Sequence, residues 1–213
     1  MNYWLNILPN IVEGFKISLF VYLITLGLAL PLGLALGMSA TLYPPIRKPL
    51  SFFTWIIRGT PLLLQLYITM YGIPLLFPMR MNRLFAGSLT FVINYTAYFT
   101  EIFRSGSAII PVGQWQAGQV LGLSKLQSIR YIGLPQVFRN TLLSLVNEAI
   151  TLVKDTSLLA AIAIGEMLRY AREIVARDLK VDALIIAGLF YLMFSLGVVQ
   201  IGKLLERKYL IQR

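Results

Sequence analysis

The sequence predicts an all-α membrane protein with five transmembrane helices, its N-terminus outside and its C-terminus cytoplasmic. Three observations carry that reading. Of 213 residues, 57% are hydrophobic and only 13% charged, and the mean hydropathy is +0.73, well beyond a soluble composition. Long stretches free of Lys, Arg, Asp and Glu recur along the chain, and about 20 apolar residues suffice for a helix to cross roughly 30 Å of hydrocarbon. Cys and His are both absent, which removes disulfide frameworks, thiol nucleophiles, imidazole bases and the usual zinc or haem ligand sets. A net charge of +10 would suggest nucleic acid in a soluble chain. Here it is read as short loops facing anionic headgroups, with no nucleic-acid partner.

The expected spans are 10–40, 49–79, 84–108, 136–164 and 183–206, within one domain covering 1–213. The first apolar run, between Lys16 and Arg47, is far longer than a signal-peptide core and lacks a small-residue cleavage pattern before it, so it is expected to stay as a span. The fourth is apolar but interrupted by Glu148, Lys154 and Asp155. Residues 105–124 are also uncharged, but Pro111, Gly113, Gly118, Gly122 and three glutamines make them too polar for lipid. A loop with a short helix is therefore expected over 109–135.

Basic residues set the orientation. With the C-terminus inside, the inner segments hold Arg47, Lys48, Arg104, Lys125, Arg130, Arg139, Lys203, Arg207, Lys208 and Arg213. The outer segments hold Arg80, Arg83, Arg169, Arg172, Arg177 and Lys180. The outer loop Glu166 to Asp182 is charged and helix-prone, with Arg169/Glu173 and Glu173/Arg177 at i, i+4 spacing. A solvated helix is the plain reading of it, and docking of an external protein the functional one. Gly33 and Gly37 form a G-x-x-x-G step that lets another helix approach closely, more readily within the subunit than across a dimer seam.

Ionised side chains at membrane depth cost about 2.5–3.5 kcal/mol each on insertion scales, so they mark candidate function. On the fourth span Glu148, Thr151 and Asp155 share one side of a helix, and on the third Asn94, Tyr98 and Glu101 follow i, i+4, i+7. Two such stripes across a small cavity would coordinate an ammonium or guanidinium group, with the Tyr98 ring as a cation-π surface. Each residue also has a plainer reading: Glu101 can pair with Arg104 three residues on, and Glu148 with a base on a neighbouring helix. Asp155 is the strongest candidate, because adjacent Lys154 points about 100° away from it. The backbone amides near Gly59 and Thr60 would receive a carboxylate if a helix begins there.

Residues 111–135 are a long polar insertion between two spans, and such loops seldom lack a role. Trp115, Val120, Leu121 and Leu123 are expected to form the apolar side of a short helix, Gly122 to take left-handed backbone angles, and Pro135 to stop one helix before the next. The spacing here resembles the EAA loop of bacterial ABC importer permeases: Gln116-Ala117-Gly118, then Gly122, then Ile132-Gly133-Leu134-Pro135. Gln116 stands where the family has Glu, and Gly118 where it has Ala. Arg58-Gly59-Thr60-Pro61 running to Leu66, Ala97-Tyr98 with Glu101 to Arg104, and Lys154 to Leu159 narrow the resemblance to the polar amino acid branch, including the histidine, arginine and glutamine permeases.

That resemblance implies a type I ABC importer fold, half of a pore completed by a second copy or a close paralogue, in the bacterial cytoplasmic membrane. It implies an ATPase dimer that binds ATP and Mg and receives Gln116, Ala117, Gly118, Leu121, Gly122, Leu123 and Ser124 in a surface groove. An extracytoplasmic binding protein would deliver the substrate. The chain has no phosphate-binding P-loop of its own, so it is expected to be a transport subunit without ATPase chemistry and without its own cofactor. The excess of acid over base at membrane depth favours basic amino acids: arginine, lysine or histidine. The alternative is an ion-gradient-driven secondary transporter or channel subunit, which leaves the 111–135 loop without a purpose. An intramembrane enzyme would lack a nucleophile in a recognisable setting.

Overall fold

The computed structural model describes residues 2–77 and 79–209, and every regular element among them is helical. Arg213, counted above among the inner charges, lies outside the described residues. Helix α1 (Asn2–Leu42) runs unbroken through Pro9 and Pro31. At about 1.5 Å per residue it exceeds the thickness of the hydrocarbon layer. Tyr43 interrupts it, and α2 (Pro44–Gly59) follows with proline in its first turn, where no backbone donor is needed.

Residues 49–79 are not one straight helix. α2 ends at Gly59, Thr60 and Pro61 are extended, and α3 (Leu62–Tyr67) continues through a π turn (Ile68–Gly72) into α4 (Ile73–Leu76). The two halves meet at 98°, and together they have the length and hydropathy of one crossing, as α1 and α10 (Asp182–Tyr209) have singly. Helices α5 (Arg83–Ala108) and α8 (Leu134–Asp155) have the length but not the hydropathy.

The core is built on α5. Asn82 caps it, its side-chain oxygen accepting from the Leu84 and Phe85 amides at 2.8 and 3.4 Å. Phe91, Tyr95, Phe99 and Phe103, one every fourth residue, are sealed from solvent and packed among α1, α8 and the 3-10 turn Thr156–Ile162. In a bilayer, apolar burial between helices gains little because lipid is equally apolar, so close packing must hold them. The Gly33/Gly37 step supplies it within the subunit. A Cβ at Gly33 would sit 2.5 Å from Phe99 Cβ, and one at Gly37 would sit 2.7 Å from the Thr100 carbonyl oxygen. At the end of this seam the Thr41 and Ser107 hydroxyls share a 2.7 Å hydrogen bond.

The 109–135 segment is a helix, a stop and a restart. α6 (Val112–Val120) ends in a Schellman motif: Gly122 is left-handed (φ 75°), its amide bonds to the Gln119 carbonyl, and the Leu123 amide bonds to the Gly118 carbonyl, both at 3.0 Å. Ser124 then opens α7 (Lys125–Ser128) with a reciprocal capping box to Gln127. A π turn (Ile129–Gly133) carries the helix into α8 without a break, so Pro135 sits in the first turn of α8 rather than ending the preceding helix. The expected apolar side is divided. Trp115 wedges against Gly133 and Met38, and Leu123 is half-buried near Gly118, whereas Val120 and Leu121 are 87% and 78% exposed.

At the other end, the 3-10 turn stops at left-handed Ala163, and α9 (Met167–Asp178) lies across the first turns of α1 and α10. Glu166, read from the sequence as part of a solvated charged loop, is completely buried. It caps α9, accepting from the Leu168 and Arg169 amides at 2.8 and 2.6 Å, and takes the Tyr191 hydroxyl at 2.6 Å. Of the expected surface pairs, Arg169–Glu173 forms at 2.7 Å, but Arg177 turns to Asp178. Its guanidinium holds the Asp178 carboxyl below the ordinary carboxylate range.

Two substitutions test this packing. Gly37→Leu is expected to cost about 1–3 kcal/mol because the opposing Thr100 backbone cannot yield, lowering the unfolding midpoint of the purified chain in detergent. Gly27→Leu, which meets nothing within 4 Å, leaves the midpoint in place. Gly122→Val is expected to cost about 1–2 kcal/mol for the left-handed angle, and to speed amide hydrogen exchange across 112–133 without altering exchange in α1 or α5.

Candidate functional site

Breaking a helix inside a membrane leaves carbonyls without donors, and each must be satisfied by protein. The sequence does this with two residues of the Arg58–Leu66 segment. The Gln65 amide nitrogen donates to the Ile57 carbonyl at 2.7 Å, the Thr60 hydroxyl oxygen at 2.8 Å and the Thr60 carbonyl at 3.2 Å. The Thr60 hydroxyl in turn donates to the Ile56 carbonyl at 2.9 Å. Gln65 Oε1 then accepts from the Asn94 side chain at 2.9 Å, fastening the break to α5.

The bend leaves an open cavity of about 380 Å³. Arg58 to Leu62 form one wall, Asn94, Tyr95 and Tyr98 of α5 the second, and Glu148, Thr151 and Asp155 of α8 the third. Five of the six residues singled out from the two polar stripes thus meet in one place. Glu101, the sixth, does not line it. Its carboxylate is held by Arg104 through both the guanidinium Nε, at 2.9 Å, and a terminal nitrogen, which is the intrahelical pair that the sequence offered as its plainer reading.

Inside the cavity the polar groups are only partly matched. Tyr95 Oη donates to Asp155 Oδ2 at 2.7 Å, fixing one carboxylate oxygen. Among the described residues Glu148 has no hydrogen-bond or ion-pair partner, and Thr151 spends its hydroxyl on the Asn147 carbonyl of its own helix. The Tyr98 ring, expected to face a bound cation, already carries one: the Arg58 guanidinium lies 5.2 Å from its centroid. The site therefore brings two carboxylates and one guanidinium to a single cavity. Lys154 is exposed and outside it.

Three participants escaped the sequence reading. Tyr95 is one residue out of the Asn94/Tyr98 stripe, Arg58 was seen only as a motif letter, and Gln65 acts by capping. Nor does a helix begin at Gly59 or Thr60. Those residues end α2, and α3 starts at Leu62, so their amides are not an N-terminal anion site. Among the described residues no cluster of acidic side chains has metal-ligand grouping. On the opposite end of the fold, the 109–133 segment presents exposed Val112, Val120, Leu121, Leu126 and Tyr131. Gln116, Ala117 and Ser124 stand exposed among them, while Gly118 is buried against Ile132.

Comparison with known proteins places the chain in a family. A family model described as "Binding-protein-dependent transport system inner membrane component" matches residues 29–211. The chain is 34% identical over 203 residues to the arginine transport system permease protein ArtQ of Bacillus subtilis (strain 168), covering 94% of this chain and 93% of that one. It is 33% identical over 204 residues to the glutamine transport system permease protein GlnP of Escherichia coli (strain K12), with the same coverage. It is 36% identical over 165 residues to the L-cystine transport system permease protein TcyB of Bacillus subtilis (strain 168), covering 78% and 70%. Its fold superposes on a chain from the crystal structure of an amino acid ABC transporter with histidines at a TM-score of 0.84, with 28% identity and 96% of each chain covered. An inward-facing MetNI methionine ABC transporter shares the fold at a TM-score of 0.72 and 14% identity, covering 95% of each chain. This chain belongs to the binding-protein-dependent inner membrane component family, as a permease subunit of an amino acid ABC importer.

Proposed function

We propose that the chain translocates basic amino acids, and that the cavity at the α2/α3 bend is where the substrate is held during transport. The observation that carries this is the charge inventory of that cavity: Glu148 and Asp155 against Arg58. An amino acid with a cationic side chain carries two positive groups and one negative, the complement of this set. Arg58 would take the α-carboxylate as a paired hydrogen bond, Asp155 and Glu148 the α-ammonium and the side-chain cation. A neutral amino acid would leave one carboxylate uncompensated at membrane depth, which is costly. Among relatives, ArtQ is named for arginine and the similar transporter structure for histidines; GlnP and TcyB are named for glutamine and cystine, so the reading rests on the charges rather than on kinship.

The same reading has five crossings, the N-terminus outside and the C-terminus cytoplasmic in the bacterial inner membrane, with the bent α2–α4 as the second. The pore is completed by a second copy of this chain against the open side of the cavity. An ATPase dimer that binds ATP and Mg seats on the exposed apolar face around Val120 and Leu121, with Gln116 to Ser124 as the coupling segment, and an extracytoplasmic binding protein docks near α9. The Gln116 side chain is uncharged, so that joint depends on shape and apolar contact rather than on an ion pair.

In proteoliposomes holding the assembled complex, Asp155→Asn is expected to cut uptake of basic amino acids about tenfold or more, the equivalent of ~1.4 kcal/mol, while basal ATP hydrolysis stays within about twofold. Glu148→Gln is expected to shift preference from basic toward neutral amino acids in competition assays. Equal loss of uptake and hydrolysis in both variants would reassign these carboxylates to structure. Deleting residues 116–124 is expected to abolish co-purification of the ATPase while the permease still inserts; undiminished co-purification would place the joint elsewhere.

A further inference from the structure

We propose that the groove between α1, α8 and α10 is a binding site for one anionic phospholipid, its phosphate on Arg139 and an acyl chain lying along the groove. The proposal rests on the cytoplasmic placement of the α8 N-terminus given above. The groove has a volume of about 900 Å³, within the range of specific ligand sites, and Arg139 is the one charged residue among those described that line it. Leu23 and Leu26 of α1, Leu142 of α8 and Met193 of α10 make the remainder a continuous apolar trough.

Register places Arg139 at one end rather than midway. α8 and α10 pack so closely that a Cβ on Gly202 would meet Val146 at 2.6 Å. Being antiparallel, seven residues back along α8 and seven forward along α10 bring Arg139 level with Tyr209, which also lines the groove. From Arg139 to Ala149 the α8 wall runs about 15 Å, the depth of roughly one leaflet, so an acyl chain lies along it beneath a headgroup at Arg139. Gly197, with nothing within 4 Å of a built Cβ, keeps the trough open on the α10 side.

Charge selects this occupant over a second copy of the chain. Arg139 is exposed and, among the described residues, has no carboxylate within ion-pair distance. A two-fold copy meeting this face would bring its own Arg139 and no acid, whereas a phosphate offers an arginine two oxygens in matching geometry. Basic pockets between transmembrane helices on the cytoplasmic side bind anionic headgroups for this reason.

The test uses the assembled permease–ATPase complex, delipidated in detergent and titrated with phosphatidylglycerol or phosphatidylcholine, with bound lipid read by native mass spectrometry and the unfolding midpoint by fluorescence. Phosphatidylglycerol is expected to bind at one site per chain and raise the midpoint more than phosphatidylcholine. Arg139→Gln is expected to weaken that binding about tenfold and remove the preference. Gly197→Phe, which fills the trough and leaves Arg139 intact, is expected to remove binding of both lipids at this site. Equal binding of the two lipids to the unsubstituted complex, or a disulfide forming between copies through cysteines placed at position 197, would overturn the proposal. Neither readout requires amino acid uptake, so the result stands apart from whether the α2/α3 cavity is the substrate site.

Discussion

The satisfied helix break at Gly59 to Pro61 is the constraint on which the rest of this structure depends. Unpaired carbonyls away from water are expensive, and at the 98° bend Thr60 and Gln65 supply donors to the end of α2. The same Gln65 accepts from Asn94, so the bend and the wall opposite are joined by one amide side chain. Without the bend, α2 through α4 would run as one helix, and Arg58 would have no cavity to stand at. A local backbone problem and its local solution thus create the only place, among the described residues, where two carboxylates and a guanidinium share one cavity.

A bend is useful only if its surroundings are stiff. The α1–α5 seam supplies that stiffness through absence of side chain: at Gly33 and Gly37 the helices are closer than any Cβ permits, and large rings at Phe99 and Phe103 fill the adjoining space. Tyr95 belongs to the same buried column yet ends in a hydroxyl on Asp155. The packing column therefore also orients the polar site, and a change in how α5 sits would reach Asp155 through a single hydrogen bond.

Much of this was legible in the sequence. Helical class, the loop position, the intrahelical Glu101–Arg104 pair as an alternative and the convergence of Asn94, Tyr98, Glu148, Thr151 and Asp155 follow from period, spacing and charge-free length. The left-handed Gly122 followed from turn chemistry. What could not be read depends on contacts far apart in the chain. Charge-free length cannot distinguish a straight span from a bent one, because Gln65 satisfies the break eight residues away. The burial of Glu166 depends on Tyr191, twenty-five residues on. Trp115 and Leu121 are both expected on the apolar side of the short helix, but the contacts at Gly133 and Met38 draw in only the first.

The connection between the 109–133 segment and the cavity is helical throughout. From Lys125 to Asp155 the backbone stays helical through the π turn, about 45 Å of continuous rod. One end is fixed by the capping box and by Trp115 to the α6 helix; the other carries Glu148, Thr151 and Asp155 into the cavity. The exposed Val120–Leu121 tip joins this rod through the Gly122–Ser124 turn, which the capping box and the Trp115 contact at Gly133 brace, so a displacement at the tip is passed through those contacts toward the carboxylates. Tilting the rod would move all three residues together relative to Arg58, which sits on the separately held end of α2. On the proposed reading, opening the pore and loosening the substrate are then one rigid-body motion rather than two coupled events.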